Sequence, residues 1–186
     1  MLSGRRRSAR VRPLTAPEFR DVLPDAFRIF ADAMRYPDAY IVPRIRLAET
    51  QLTYGDLRVM GAFARGSLVG FAYGYRAERG QWWTDEVARA LALPRADRSH
   101  DWLADAFELC EIHVSPSWQG VGIGRNLLRS ITNAQPCRKV VLSTPTGPTP
   151  AGALYAAEGY QALVSRFRFL GDPRDFEILG KVVTDD

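Results

Sequence analysis

The stretch Gln119-Gly120-Val121-Gly122-Ile123-Gly124-Arg125 constrains this chain more than any other, because three alternating glycines separate an apolar, strand-like run from an amphipathic, helix-like one. Phe107 to Val114 reads as the strand and Gly122 to Asn133 as the helix. Several backbone N–H groups without intrahelical partners would converge at the start of that helix, which suits a phosphate. Glycine lets the backbone approach an anion with no Cβ in the way, and the helix macrodipole adds partial positive charge there. Arg125 can reinforce it. The dinucleotide fingerprint Gly-x-Gly-x-x-Gly fails, since counting from Gly120 or from Gly122 places Arg125 or Leu127 at the last position. The Walker A pattern fails for want of Gly-Lys-Ser/Thr.

The strand before the loop breaks strict alternation. Its apolar residues Leu109, Ile112 and Val114 are spaced by three and then two, so a β-bulge near Cys110 and Glu111 is needed to restore register. With the bulge, those three residues face the core, and Glu108, Glu111 and His113 are offered to the opposite face beside the glycine loop. A bulged strand also splays from its neighbour and exposes backbone groups with which a ligand can pair.

Elsewhere, Ala9 to Leu14 reads as a short strand. Thr15 caps a helix with Pro17 in its first turn that runs to about Arg35, and Pro24 is expected to kink or split it. Val42 to Leu52 is a second, short helix. Leu57 to Ala64 and Leu68 to Tyr75, joined by Arg65-Gly66-Ser67, form a hairpin. Residues 76–105 read as an irregular insertion around one helix, Thr84 to Leu93, with Trp82, Trp83 and Trp102. Lys139 to Ser143 is a strand, Pro150 to Glu158 a helix, and Tyr160 to Phe169 with Phe176 to Val183 a closing hairpin. The fold class is therefore α/β of the α+β type, with a largely antiparallel twisted sheet flanked by helices.

Composition narrows the classes. At 186 residues one domain over 9–186 is expected, behind an arginine-rich tail over 1–8. No apolar run approaches the ~18 residues needed to span a bilayer, so no membrane role is expected. The N-terminus lacks a signal-peptide core, and the expected location is cytoplasmic. Cys110, Cys137, His100 and His113 fit no metal spacing, so no metal is expected. Arg5, Arg6, Arg7, Arg10 and Arg12 outnumber the whole formal charge of +4. A solvated tail is the preferred reading of that cluster over a nucleic-acid contact.

The order strand, Gln-x-x-Gly-x-Gly, helix, strand, then Ala151 with Leu154-Tyr155 and Gly159-Tyr160, resembles the GNAT acyltransferase superfamily, most strongly over Phe107 to Phe169. The resemblance implies a mixed sheet with a splayed central strand pair and acetyl-CoA as acyl donor. It implies that the backbone of Gln119, Gly120, Val121, Gly122, Ile123, Gly124 and Arg125 holds the pyrophosphate. The pantetheine arm would pair with Ile112, His113 and Val114, and Tyr155 would stand near the thioester sulfur. Where the family often has an asparagine before that helix, this chain has Gly147-Pro148-Thr149-Pro150.

The implied reaction is direct transfer of an acetyl group to a primary amine on a small molecule or a protein. It needs a base, an oxyanion donor and an acid for the thiolate. Glu108, Glu111 or His113 could be the base, with Glu111 favoured; a backbone N–H near Val114 could polarise the carbonyl, and Tyr155 could protonate the sulfur. Trp82 and Trp83 are weaker candidates for contacting the acceptor. The alternative from another class is a non-catalytic acyl-CoA-binding sensor or interaction domain of the same fold. The segment Phe176 to Val183, read as an exposed sheet edge, could pair in a homodimer.

Overall fold

Thr15 opens the first helix, α1 (Ala16–Met34), through a complete capping box. Its hydroxyl accepts the Glu18 N–H at 3.3 Å, and the Glu18 carboxylate accepts the Thr15 N–H at 2.8 Å. Pro24 does not split this helix. A proline removes one ladder hydrogen bond, and the buried stripe Phe19, Leu23, Phe27 and Phe30 runs across it to hold both halves on the core. The computed structural model describes residues 8–183; Arg5, Arg6 and Arg7 of the arginine-rich tail lie outside that range.

The chain divides into two compact units, residues 8–75 with 110–135 and residues 76–109 with 136–183. In the first unit β1 (Arg10–Pro13), β2 (Arg58–Ala64) and β3 (Ser67–Arg76) pair antiparallel in that order, followed by the C-terminal half of β4 (Ala106–Val114). Arg65 and Gly66 both have positive φ, 52° and 86°, the turn geometry that matches the twist of a two-residue hairpin. Helices cover both faces of these strands. The rings of Phe19 and Phe27 on α1 lie 5.9 Å from Phe71 on β3. On the opposite face, a Cβ at the adjacent Gly70 would lie 3.2 Å from Leu127 of α4 (Ile123–Ala134). Arg10 and Arg12 of the arginine cluster belong to β1, where Arg12 pairs with Glu18 at 2.9 Å and lies over the Phe63 ring. The remaining helix of this unit, α2 (Ile41–Gln51), packs against α1.

The second unit holds the N-terminal half of β4, then β5 (Lys139–Pro145), β7 (Phe176–Val182) and β6 (Gln161–Phe167) in that spatial order, with helices α3 (Trp82–Leu91) and α5 (Pro150–Ala157). Within this unit the β4–β5 ladder is parallel and three residue pairs long, Ala106–Glu108 on Lys139–Val141. β7 lies between β5 and β6, antiparallel to both. Phe176 to Val183 is therefore no exposed edge, and the edge pairing expected of it is corrected: both sides of β7 are occupied, because the strand that precedes it in sequence pairs outside it. Trp102 is buried in this unit's core with Val87, Val141, Leu163 and Ile178, its indole N–H donating to Asp97 at 3.1 Å. Among the described residues no helix is long and apolar enough to cross a membrane.

Candidate functional site

Ile123, Leu127, Leu128 and Ile131 form the buried stripe that seats α4 in the first unit. With that face fixed, the start of the helix is left at the surface: Gln119, Gly120, Val121, Gly122 and Arg125 are exposed and Gly124 is half-buried. Gly120 and Gly122 have φ of 76° and 91°, which disfavour any residue with a side chain. A Cβ at either would meet nothing within 4 Å, so conformation rather than crowding calls for glycine there. Gly122 is the N-cap and supplies no side-chain acceptor, whereas α1 and α5 borrow the hydroxyls of Thr15 and Thr149. The first-turn N–H groups of α4 are thus turned outward, where an anion can accept from them. The Gln119 side-chain amide donates to the Val114 carbonyl at 2.9 Å and ties the loop back to the end of β4.

Just before the loop, β4 departs from regular alternation. Cys110 Sγ lies 3.7 Å from Gln51 and Glu111 Oε1 lies 3.2 Å from Arg44, so two consecutive strand residues both reach α2. Successive residues of a regular strand point to opposite faces, and this sharing is what a bulge at Cys110–Glu111 produces. Glu111 Oε2 meets His113 Nε2 at 2.6 Å. The imidazole packs edge-on against Phe30 at 5.1 Å and beside Phe71 at 5.7 Å, and Arg44 lies over the same Phe30 ring. The side chains of Glu111 and His113 are only 11% and 12% exposed, so their mutual hydrogen bond is weakly screened. Ile112 is half-buried and Val114 buried.

The other residues singled out in the sequence belong to the second unit. Glu108 is 2% exposed. Tyr155 is buried on α5 with its ring edge-on to Tyr160 at 5.6 Å. Trp82 is 58% exposed and lies against Phe169, while the Trp83 indole N–H donates to Ser143 at 2.9 Å. The segment Gly147-Pro148-Thr149-Pro150 lines a cavity of about 590 Å³ together with Tyr160 and Glu177. Among the described residues no group of three or more His, Cys, Asp or Glu side chains could hold a metal ion.

No family model matches the chain. A GCN5-like protein acetyltransferase of Mycobacterium tuberculosis is 31% identical to it over 190 residues, spanning 87% of this chain and 91% of the relative. The chain belongs to the GNAT acetyltransferase family. Solved GNAT structures share the fold. An acetyltransferase of the family from Desulfovibrio desulfuricans superimposes with a TM-score of 0.64 at 17% identity, over 95% of this chain and all of that one. An acetyltransferase from Salmonella typhimurium, solved with acetyl-CoA, gives 0.63 at 16% identity over 96% of each chain.

Within this GNAT chain, Arg44, which holds Glu111, is the residue of the candidate site that sequence reasoning missed. It stands 67 positions before Glu111, and no periodicity or motif links the two.

Proposed function

We propose that this GNAT enzyme transfers the acetyl group of acetyl-CoA directly to a primary amine. The observation that carries the reading is the loop Gln119–Arg125, with its two positive-φ glycines and a helix start that has no side-chain cap. In this reading its N–H groups hold the pyrophosphate, with Arg125 adding charge, and the backbone of Ile112, His113 and Val114 pairs with the pantetheine arm.

The acceptor arrives as an ammonium and must lose a proton before its nitrogen can attack the thioester carbonyl. The Glu111–His113 pair takes that proton, and a backbone N–H near Val114 stabilises the oxyanion of the tetrahedral intermediate. Collapse breaks the C–S bond, and Tyr155 protonates the departing thiolate. Glu108, which is buried, is the remaining base candidate and ranks below Glu111 and His113. Trp82, exposed on the second unit, is retained as a candidate acceptor contact, and Trp83, whose indole N–H is engaged by Ser143, ranks below it. The mycobacterial relative is named a protein acetyltransferase, which makes a protein lysine or N-terminal amine the first acceptor class to try.

Calorimetric titration with acetyl-CoA and with free CoA tests the reading. Binding to the intact protein that Gly122→Glu and Gly124→Glu both abolish is expected, since each places a carboxylate where the pyrophosphate would rest. No binding to the intact protein would overturn it.

A further inference from the structure

Both carboxylate oxygens of Glu111 are engaged inside the first unit: Oε1 by Arg44 at 3.2 Å and Oε2 by His113 at 2.6 Å. An ionised carboxylate only accepts hydrogen bonds. The Arg44 guanidinium, which can only donate, takes Oε1 and leaves Oε2 to accept from the ring. The hydrogen between Glu111 and His113 therefore sits on Nε2 of the ring. In a neutral imidazole one nitrogen donates and the other accepts, so the lone pair is left on Nδ1.

From this arrangement, and resting on the acetyl-transfer reading above, we infer that Arg44 is a positioning residue: by holding Glu111 it fixes His113 as the Nε2–H tautomer and makes Nδ1 the atom that takes the proton from the acceptor ammonium. Glu111 is then a positioning residue as well, rather than the base. In the step itself an N–H bond of the ammonium breaks, its electron pair stays on the amine nitrogen, and an Nδ1–H bond forms. The resulting imidazolium is stabilised by Glu111 across the 2.6 Å contact. The groups around the ring support the assignment. α1 presents the Phe30 ring and β3 the Phe71 ring, so Glu111 on its own strand is the ionised group bonded to the imidazole, and Arg44 on α2 reaches it through Glu111. Arg44 is itself held in place over Phe30, 5.1 Å from the ring centroid.

The test reads the tautomer directly and needs no acceptor. The chain has two histidines, so nitrogen NMR of the ¹⁵N-histidine-labelled protein at about pH 8, above the ordinary imidazole range, yields two ring spectra, and His100→Gln assigns them. The expected result is an Nε2–H tautomer for His113 in the intact protein, replaced by a mixture in Arg44→Met and in Glu111→Gln. An Nδ1–H tautomer in the intact protein would overturn the inference, and so would an unchanged spectrum in Arg44→Met. Arg44→Gln is the second variant; if neither Arg44 variant shows a cooperative melt, the role of Arg44 is structural and the inference fails. Acetyl-CoA titration of the intact protein separates the two levels. Absent binding sinks the acetyl-transfer reading whatever the tautomer, whereas binding with the wrong tautomer sinks only the role given to Arg44.

Discussion

The Tyr73 hydroxyl donates to Gln51 Oε1 at 2.7 Å in the core of the first unit. The same amide donates from Nε2 to the Tyr75 hydroxyl at 3.0 Å, and Cys110 Sγ lies 3.5 Å from the Tyr73 oxygen. Gln51 is therefore a buried polar side chain whose hydrogen-bonding groups are matched by phenols, and this network stands directly behind the bulged part of β4. Gln51→Leu leaves the phenols with fewer partners and is expected to destabilise the protein by about 1–3 kcal/mol. Tyr73→Phe in the same background should cost less than it does alone, because the two changes remove one shared bond. Chemical denaturation of the two single variants and the double variant measures this, and strict additivity would show that the bond is not coupled.

Gly180 on β7 is a close-packing position. A Cβ there would lie 2.8 Å from Leu163 Cδ1 and 2.8 Å from the Trp102 ring, itself fully enclosed in the second unit. Gly180→Ala is expected to destabilise by about 1–3 kcal/mol through overpacking, read as a lowered Tm. An unchanged Tm would mean the indole can move aside.

Glu18 titrates far below the ordinary carboxylate range, lowered to about 2. The largest cause is the Thr15 backbone N–H, followed by the Thr15 hydroxyl and Arg12. A carboxylate with a depressed folded value contributes stability that is fully present above its unfolded value of 4.5 and is lost as the pH falls through about 2. The capping box should therefore persist through the usual acid range. An NMR titration of Glu18 is expected to show a midpoint of about 2, moving toward the ordinary range in Thr15→Val; a midpoint near 4.5 in the intact protein would refute the box as drawn.

Tyr155→Phe keeps the ring that packs on Tyr160 and removes only the hydroxyl. If that hydroxyl protonates the thiolate, kcat in a thiol-release assay should fall by about 10²–10⁴ with the fold and acetyl-CoA affinity intact. A fall confined to KM would assign the tyrosine to binding instead.

Much of the fold was legible because its signals are local. Thr15 with Pro17 in the first turn, the Arg65-Gly66 turn, and the glycines beside the stripe Ile123, Leu127, Leu128 and Ile131 are each written within a dozen residues, and each appears where expected. The irregularity in β4 was legible for the same reason, as a spacing of three among twos. The place of β7 was not, because strand order depends on which partner captures a strand and not on the strand's own pattern. Helix α3 begins at Trp82, ahead of the expected Thr84, since its N-cap Gln81 makes no side-chain capping bond and so carries no start signal. Arg44 escaped for a third reason. Its meaning lies in a side-chain contact across the tertiary structure, and nothing in the neighbourhood of Arg44 encodes the carboxylate it will meet.

The glycine at the head of α4 has a consequence for how the protein's stability should behave. A serine, threonine or aspartate at a helix start is ordinarily worth about 1 kcal/mol over alanine and roughly a few tenths over glycine, and this chain uses a threonine at two other helices. At Gly122 it forgoes that gain, with a backbone conformation of φ 91° that a capping residue could not adopt without strain. The helix is thus left incomplete in the free protein and can be completed from outside by any anion that fits. Fold stability and occupancy of this loop then become one linked quantity, so the melting temperature should climb with ligand concentration, and a heat scan becomes a binding assay.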